Sequence, residues 1–319
     1  MIQFIDVPNL VVSEFFGGYG KIDKDRNIVK PGSLQGEGKY TGIPSVFLRT
    51  GKCNFRCMGF SQDDPTDPST WVKEFDGIDV KEFKTLDTVP VVRTGCDTPY
   101  ASDPKFNHLL EHLTPAQVVE KIKEWLLDGT FIHPKSKQDC HLVITGGEPM
   151  LQQKALTAVM YQLEAENNVP LHLTMETNGT IPLHNTFQKW YSDYIQNAHF
   201  NRTESVELFW SISPKLFLSG EPWEKAIKPE IVGEYARISP EGQLKYVCDG
   251  STRVWDEIEK ATELYRKSGV TFPVWIMPVG GMKETQEEHQ AMISDQTMAR
   301  GYNLAARVHV WIYRNLSGR

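Results

Sequence analysis

No run of apolar residues in this chain approaches the roughly 18 needed to cross a bilayer, so the sequence offers no membrane-spanning helix. The opening residues, Met1-Ile2-Gln3-Phe4-Ile5-Asp6-Val7-Pro8, carry no signal-peptide pattern. Positive charge is in deficit: 34 Lys and Arg face 41 Asp and Glu, for a formal net charge of −7. That argues against a chain-wide basic surface for nucleic acid, while leaving room for a basic pocket that takes a small acidic molecule. Cysteine is scarce, with five in 319 residues. An odd count in a long chain suits a reducing compartment better than a disulfide framework. Internal repeats and low-complexity tracts are also missing. These absences lead us to expect a soluble, cytoplasmic protein with no membrane or nucleic-acid partner.

Hydrophobic residues make up 40% of the chain, enough for a substantial core in a single domain spanning 1–319. Apolar, β-branched runs alternate with stretches of helical spacing, the pattern of a mostly parallel sheet with crossover helices. Strands are expected at residues 44–50, 141–145, 171–176, 207–213, 243–248 and 271–277, with a terminal strand at 307–313. Helices are expected at about 114–128, 152–167, 253–268 and 284–300. Thr114 followed by Pro115 reads as a helix cap with proline at the first helical position. Residues 17–33, rich in Gly and charge, read as a surface loop or hairpin. Residues 220–242 carry too weak a pattern to assign.

The chemistry concentrates in three cysteines. Cys53-Asn54-Phe55-Arg56-Cys57 sets two thiols four positions apart, and Cys96-Asp97-Thr98 brings a third after residues 58–95. Thiolate is a soft ligand suited to iron–sulfur clusters, zinc and copper(I). Three thiolates can hold three irons of a [4Fe–4S] cluster and leave the fourth open to a ligand. The close pair alone fits two free cysteines or half of a zinc site equally well. Its position sharpens the choice, because a strand ending in Arg49-Thr50-Gly51 delivers it to the sheet edge where α/β folds place their active-site loops. Gly146-Gly147-Glu148-Pro149 follows the next strand, and its glycines allow backbone to approach a ligand closely.

In these blocks the chain resembles the radical S-adenosylmethionine (SAM) superfamily, and within it the 7-carboxy-7-deazaguanine synthase family. The resemblance rests on Ser33-Leu34-Gln35-Gly36-Glu37-Gly38, on Phe47-Leu48-Arg49-Thr50-Gly51 with Cys53-Asn54, on Cys96-Asp97-Thr98, and on Thr145-Gly146-Gly147-Glu148-Pro149. Glu176-Thr177-Asn178-Gly179 and Ser211-Ile212-Ser213-Pro214-Lys215 support it further along. Two departures stand out. Many superfamily members carry their third cysteine with two residues between it and the second, where this chain has Phe60, so residues 58–95 read as an insertion in the cluster loop. The lead into Leu34 is also enlarged, by about residues 17–33.

The resemblance implies a partial (β/α) barrel of about six mostly parallel strands. It implies a [4Fe–4S] cluster on Cys53, Cys57 and Cys96, SAM on the open iron, and Mg²⁺ at the Thr98 hydroxyl. Gly147, Glu148, Ser213, Lys215 and Gln243 would contact SAM. Leu34, Gln35, Gly36, Glu37, Arg49, Thr145 and His309 would bind a pterin substrate, with Arg49 forking onto its carboxylate. The implied reaction is a carbon–nitrogen lyase step of queuosine and deazapurine biosynthesis. It would be run by a homodimer with an electron from a flavodoxin-like donor. Two alternatives remain at this level: a glycyl-radical-enzyme activase of the same superfamily, and a non-catalytic zinc or iron–sulfur module. Cys140 and Cys248 read as buried free thiols.

Overall fold

The computed structural model describes residues 7–25, 27–201 and 206–314. Its strands, in chain order, are β1 (Leu10–Gly17), β2 (Lys21–Ile22), β3 (Ile28–Lys30), β4 (Ser45–Thr50), β5 (Glu111–Leu113), β6 (His141–Gly146), β7 (His172–Thr177), β8 (Glu207–Ile212), β9 (Gly242–Cys248), β10 (Val274–Pro278) and β11 (Asn303–Leu304). Nine of them form one sheet in the order β11-β10-β9-β8-β7-β6-β4-β1-β5. From β4 to β11 every pairing is parallel, whereas β1 runs antiparallel to both β4 and β5. β2 and β3 make a separate hairpin, its turn held by Asp23 accepting from the backbone amides of Asp25 and Asn27 at 2.8 and 2.9 Å.

The six expected parallel strands are β4 and β6–β10, and the fold is a partial (β/α) barrel. Their near-continuous apolar runs suit a sheet covered on both faces. Val46, Leu48, Leu142, Ile144, Leu173, Met175, Leu208 and Trp210 are all buried. Helices Pro115–Glu124, Gln153–Ala165, Asn185–Asn201, Pro229–Ile238, Thr252–Lys267 and Lys283–Ala299 flank the sheet. The first is capped as its sequence indicates: the Thr114 hydroxyl accepts from the Gln117 amide at 3.4 Å, and the Gln117 side chain accepts from the Thr114 amide at 2.9 Å. Such a box contributes about 1 kcal/mol. Residues 220–242 fold into helices Trp223–Ala226 and Pro229–Ile238.

Two expectations are corrected. The expected strands begin at residues 44–50, but a core strand precedes them: β1 covers the outer edge of β4. The segment 307–313 is a short helix, Val308–Tyr313, rather than a terminal strand. Its Val308-Val310-Ile312 alternation suits a strand, but the Val308 amide is taken by the Gly36 carbonyl at 2.9 Å, away from the sheet edge. The two residues of β11 occupy that edge instead.

At the N-terminal end of the parallel strands, Asp139, His141 and His172 bring ligand-capable atoms within 4.8 Å of one another. The two imidazoles stack at 4.2 Å and 15°, so their lone pairs run side by side instead of converging on one ion. Asp139 is bonded to His172 Nδ1 at 2.9 Å, and this hydrogen bond raises the His172 pKa. Burial, and then the neighbouring His172, push His141 down to about 3. The signs are opposite. His172 adds stability below its ordinary value near 6.5 that is lost as pH rises through its raised one, while His141 withdraws stability as pH falls from about 6.5 toward 3. An NMR histidine titration should show one elevated and one depressed midpoint, and Asp139→Asn should return His172 toward its ordinary value. Matching midpoints in the unmodified protein would contradict this arrangement.

Candidate active site

The C-terminal ends of the parallel strands open into a cavity of about 280 Å³. One wall is the loop after β4, in which Lys52 and Cys57 adopt positive φ of 70° and 52° to turn the chain back on itself. Six hydrogen bonds fix this loop. Glu221 Oε1 accepts from the amides of Arg56 and Cys57 at 2.8 and 2.9 Å. Asn54 accepts from Asn178 Nδ2 and donates to the Thr180 hydroxyl, both at 2.9 Å. The Gly147 amide donates to the Thr50 carbonyl at 3.0 Å, and the Glu148 amide to the Lys52 carbonyl at 2.9 Å. A Cβ on Gly146 or Gly147 would stand 2.1 Å from the carbonyl oxygen of Thr50 or Lys52, respectively. The glycine pair is therefore needed where β6 meets the cysteine loop.

Cys53, Cys57 and Cys96 all line this cavity, packed with Phe55, Phe60 and Ala226. The excursion 58–95 closes at its base, where the Gly95 amide donates to the Phe60 carbonyl at 2.7 Å, and this returns Cys96 beside the first two thiols. The Phe55 amide points to Cys53 Sγ at 3.4 Å, and the Ser102 hydroxyl to Cys96 Sγ at 3.7 Å. Burial pushes the Cys53 thiol up to about 12 and Cys57 well above its usual range. A cationic group is what would bring such thiols to the thiolate form. Two thiolates on one tetrahedral zinc, with Zn–S about 2.3 Å, stand about 3.8 Å apart. Among the described residues the three thiols are not gathered within 4.8 Å of one another, a wider spacing than one tetrahedral zinc sets. Cys140 and Cys248 are fully buried and outside the cavity, which leaves a zinc site there without a fourth cysteine.

The opposite wall is polar. Gln35 Nε2 donates to Glu176 Oε1 at 3.2 Å, and the Thr145 hydroxyl donates to Glu176 Oε2 at 2.8 Å. Glu37 is bonded to Lys245 and, at 2.8 Å, to Arg307 Nε. Burial alone would raise the Glu37 pKa, but Lys245 and then Arg307 hold it well below the usual carboxylate range. Arg49 lies across the cavity with its Nε on Glu14 Oε2 at 3.2 Å. His309 packs against Gly36, where a Cβ would stand 1.8 Å from its Nδ1. That Nδ1 is buried without a hydrogen-bond partner, and burial pushes His309 down to about 4, so the ring is neutral. Lys215 Nζ donates to the Ser213 hydroxyl at 3.1 Å on the cysteine side.

Leu34, Gln35, Gly36, Glu37, Arg49, Cys53, Cys57, Cys96, Thr98, Thr145, Gly147, Ser213, Lys215 and His309 thus line one cavity. Two residues singled out from the sequence do not. Glu148 is fully buried, and its carboxylate accepts from the Thr177 hydroxyl at 2.6 Å, the Asn178 amide at 2.8 Å and the Met150 amide at 3.0 Å. It staples two turns together, with both oxygens taken by these three donors. Gln243 accepts from the Lys39 amide at 3.1 Å and donates to the Ser211 hydroxyl at 2.9 Å, beneath the cavity. Glu176, Lys245 and Arg307 carry no sequence-based assignment, although Lys245 follows Gln243 on the same strand face. That two-residue period is the signal that could have found it.

No protein-family model matches the chain. Among curated proteins it is similar to the 7-carboxy-7-deazaguanine synthase of Rhodopirellula baltica, 24% identical across 90% of this chain and 85% of that one. It is also similar to those of Pyrobaculum aerophilum, 25% across 90% and 94%, and Hyperthermus butylicus, 26% across 88% and 89%. Among solved structures, native anSMEcpe with bound AdoMet and Cp18Cys peptide aligns with TM-score 0.37 and 11% identity. That alignment covers 63% of this chain and 57% of that one, too weak a likeness to argue from.

Proposed function

We propose that this chain, which belongs to the 7-carboxy-7-deazaguanine synthase family and is a radical SAM lyase, converts 6-carboxy-5,6,7,8-tetrahydropterin to 7-carboxy-7-deazaguanine. One ammonia is lost and the remaining atoms are conserved. The observation that carries this reading is the pairing, in one cavity, of three thiols with a wall of carboxylate, amide and guanidinium groups. When bound, the cluster and SAM supply the radical that takes a hydrogen atom from the substrate. Cys53, Cys57 and Cys96 would hold the cluster, and the Gly147, Ser213 and Lys215 region would hold SAM.

The chain's own groups divide the substrate between them. Glu37, kept ionised by two cations, accepts from the amino and ring N–H donors of the pterin. Gln35 and Thr145, both tied to Glu176, meet its remaining polar edge. Arg49 uses Nε for Glu14, which leaves its two terminal nitrogens to fork onto the substrate carboxylate. The neutral His309 packs its ring on Gly36 and backs the loop that carries Gln35 and Glu37 toward the same ligand. Phe16, Phe47 and Phe55 on the cavity wall exclude water from the reacting carbons. Mg²⁺ at the Thr98 hydroxyl, an electron from a flavodoxin-like donor, a homodimer and a single domain belong to the same reading. So do queuosine and deazapurine biosynthesis as the pathway and the cytoplasm as the compartment. Among the described residues, no helix is long and apolar enough to cross a membrane.

The test is anaerobic reconstitution with iron and sulfide, followed by SAM, a reductant and the carboxypterin. Formation of the deazaguanine acid is expected. Protein that cleaves SAM yet never converts the carboxypterin would sink the substrate assignment. Arg49→Lys should raise KM for the carboxypterin by about tenfold or more, because an ammonium cannot reproduce the fork. An unchanged KM would remove Arg49 from substrate binding.

A further inference from the structure

We propose that Arg307 is a positioning residue that couples the substrate wall to the cysteine loop, transmitting occupancy at Glu37 to the segment that carries Cys96 and Thr98. The inference rests on the reading of Glu37 as a substrate acceptor. The Arg307 guanidinium spans three elements far apart in the chain. Its Nε donates to Glu37 Oε1 at 2.8 Å, its Nη2 to Asp97 Oδ2 at 3.2 Å, and its Nη1 to the Gly280 carbonyl at 3.3 Å, just past β10.

The burial is graded along this bridge. The Glu37 and Arg307 side chains are each 13% exposed, whereas Asp97 is 54% exposed. The Glu37 contact is therefore the fixed end, and the Asp97 contact is the one that can lengthen or shorten at low cost. Asp97 sits directly between Cys96 and Thr98, so a movement of its carboxylate is felt on both sides of it. The guanidinium is a rigid plane, and a shift of its Nε edge moves both terminal nitrogens together. Its backbone is also anchored next to the substrate loop, through the Val308 amide on the Gly36 carbonyl at 2.9 Å and the packing of His309 on Gly36.

When donors on a bound substrate compete for the Glu37 oxygens, Lys245 still holds one side of the carboxylate. Arg307 is then released toward Asp97 without leaving a buried acceptor bare. The arrangement lets the enzyme sense whether the substrate seat is filled before the cysteine loop reaches its working geometry. A lysine at 307 keeps the charge but offers a point donor that cannot span three acceptors.

The experiment compares wild type with Arg307→Lys, Asp97→Asn and the double variant, each reconstituted anaerobically, with melting curves to confirm folding. Two quantities are read: KM for the carboxypterin, and the fraction of SAM cleaved without product. Arg307→Lys should raise both, each about tenfold by the loss of a charged contact. Asp97→Asn should raise only the uncoupled fraction, and the double variant should uncouple no further than Arg307→Lys alone. A change in KM alone, additive uncoupling, or no change in either quantity would overturn the proposal. If even wild type fails to convert the carboxypterin, it is the functional reading that has failed. The tie is then judged on the electron paramagnetic resonance spectrum of the reduced, SAM-bound cluster. The same spectral change in Arg307→Lys, Asp97→Asn and the double variant supports it, and a spectrum identical to wild type rejects it.

Discussion

Replacing Cys96 by alanine is expected to drop iron from about four per chain to background and to abolish SAM cleavage. Cys53 and Cys57 would remain, but two thiolates cannot hold a cluster against exchange when both are buried and protonated in its absence. Burial, with the nearby Glu148 carboxylate adding to it, lifts Cys53 to about 12, so the third ligand is needed to make metal binding outweigh proton binding at neutral pH. The informative companion is Phe60→Cys on the same background. Phe60 lines the cavity and stands at the position where a compact cysteine triplet would end. The Gly95–Phe60 backbone bond puts the two candidate positions side by side at the base of the excursion. Cys96→Ala with Phe60→Cys should therefore recover part of the iron. Cys96→Ala retaining a full, SAM-cleaving cluster would remove Cys96 from the ligand set altogether.

What could be read from the sequence was what local spacing encodes. The six parallel strands were legible because each is a short apolar run bounded by turn residues, and the Thr114 cap because its partner lies three residues away. The cysteine loop was legible because its residues sit next to one another in the chain. Side-chain direction was not. Glu148 and Gln243 have the right chemistry and lie next to the cavity, but their polar atoms are already taken by Thr177, Asn178 and Met150, and by Lys39 and Ser211. Long-range pairing was equally hidden. Glu37 meets Lys245 across 208 positions and Arg307 across 270, and no periodicity links residues that far apart. The helix at Val308–Tyr313 was misread for a related reason, since its alternating β-branched residues match a strand until Gly36 claims the first amide.

That long-range pairing gives the second large effect, on stability rather than chemistry. Glu37→Ala should lower the unfolding free energy by about 3–5 kcal/mol, the range for breaking a buried ion pair by removing one partner. Lys245 and Arg307, 7% and 13% exposed, would be left facing each other without a carboxylate. Replacing both members of the tighter pair, Glu37→Met with Lys245→Met, should recover part of the loss, because it removes one of the two stranded charges and leaves Arg307 its contact with Asp97. The pH dependence follows from the lowered pKa of Glu37 in the folded protein. A depressed carboxylate contributes in full above its unfolded value near 4.3 and loses that contribution as pH falls through its folded one. The deficit of Glu37→Ala should therefore be level from about pH 5 upward and shrink in stronger acid. Urea unfolding of wild type, the single variant and the double variant across that range measures all three quantities. A Glu37→Ala protein within about 1 kcal/mol of wild type at neutral pH would mean that solvent reaches the two cations freely. The Glu37 carboxylate would then not be the fixed end of the bridge to the cysteine loop.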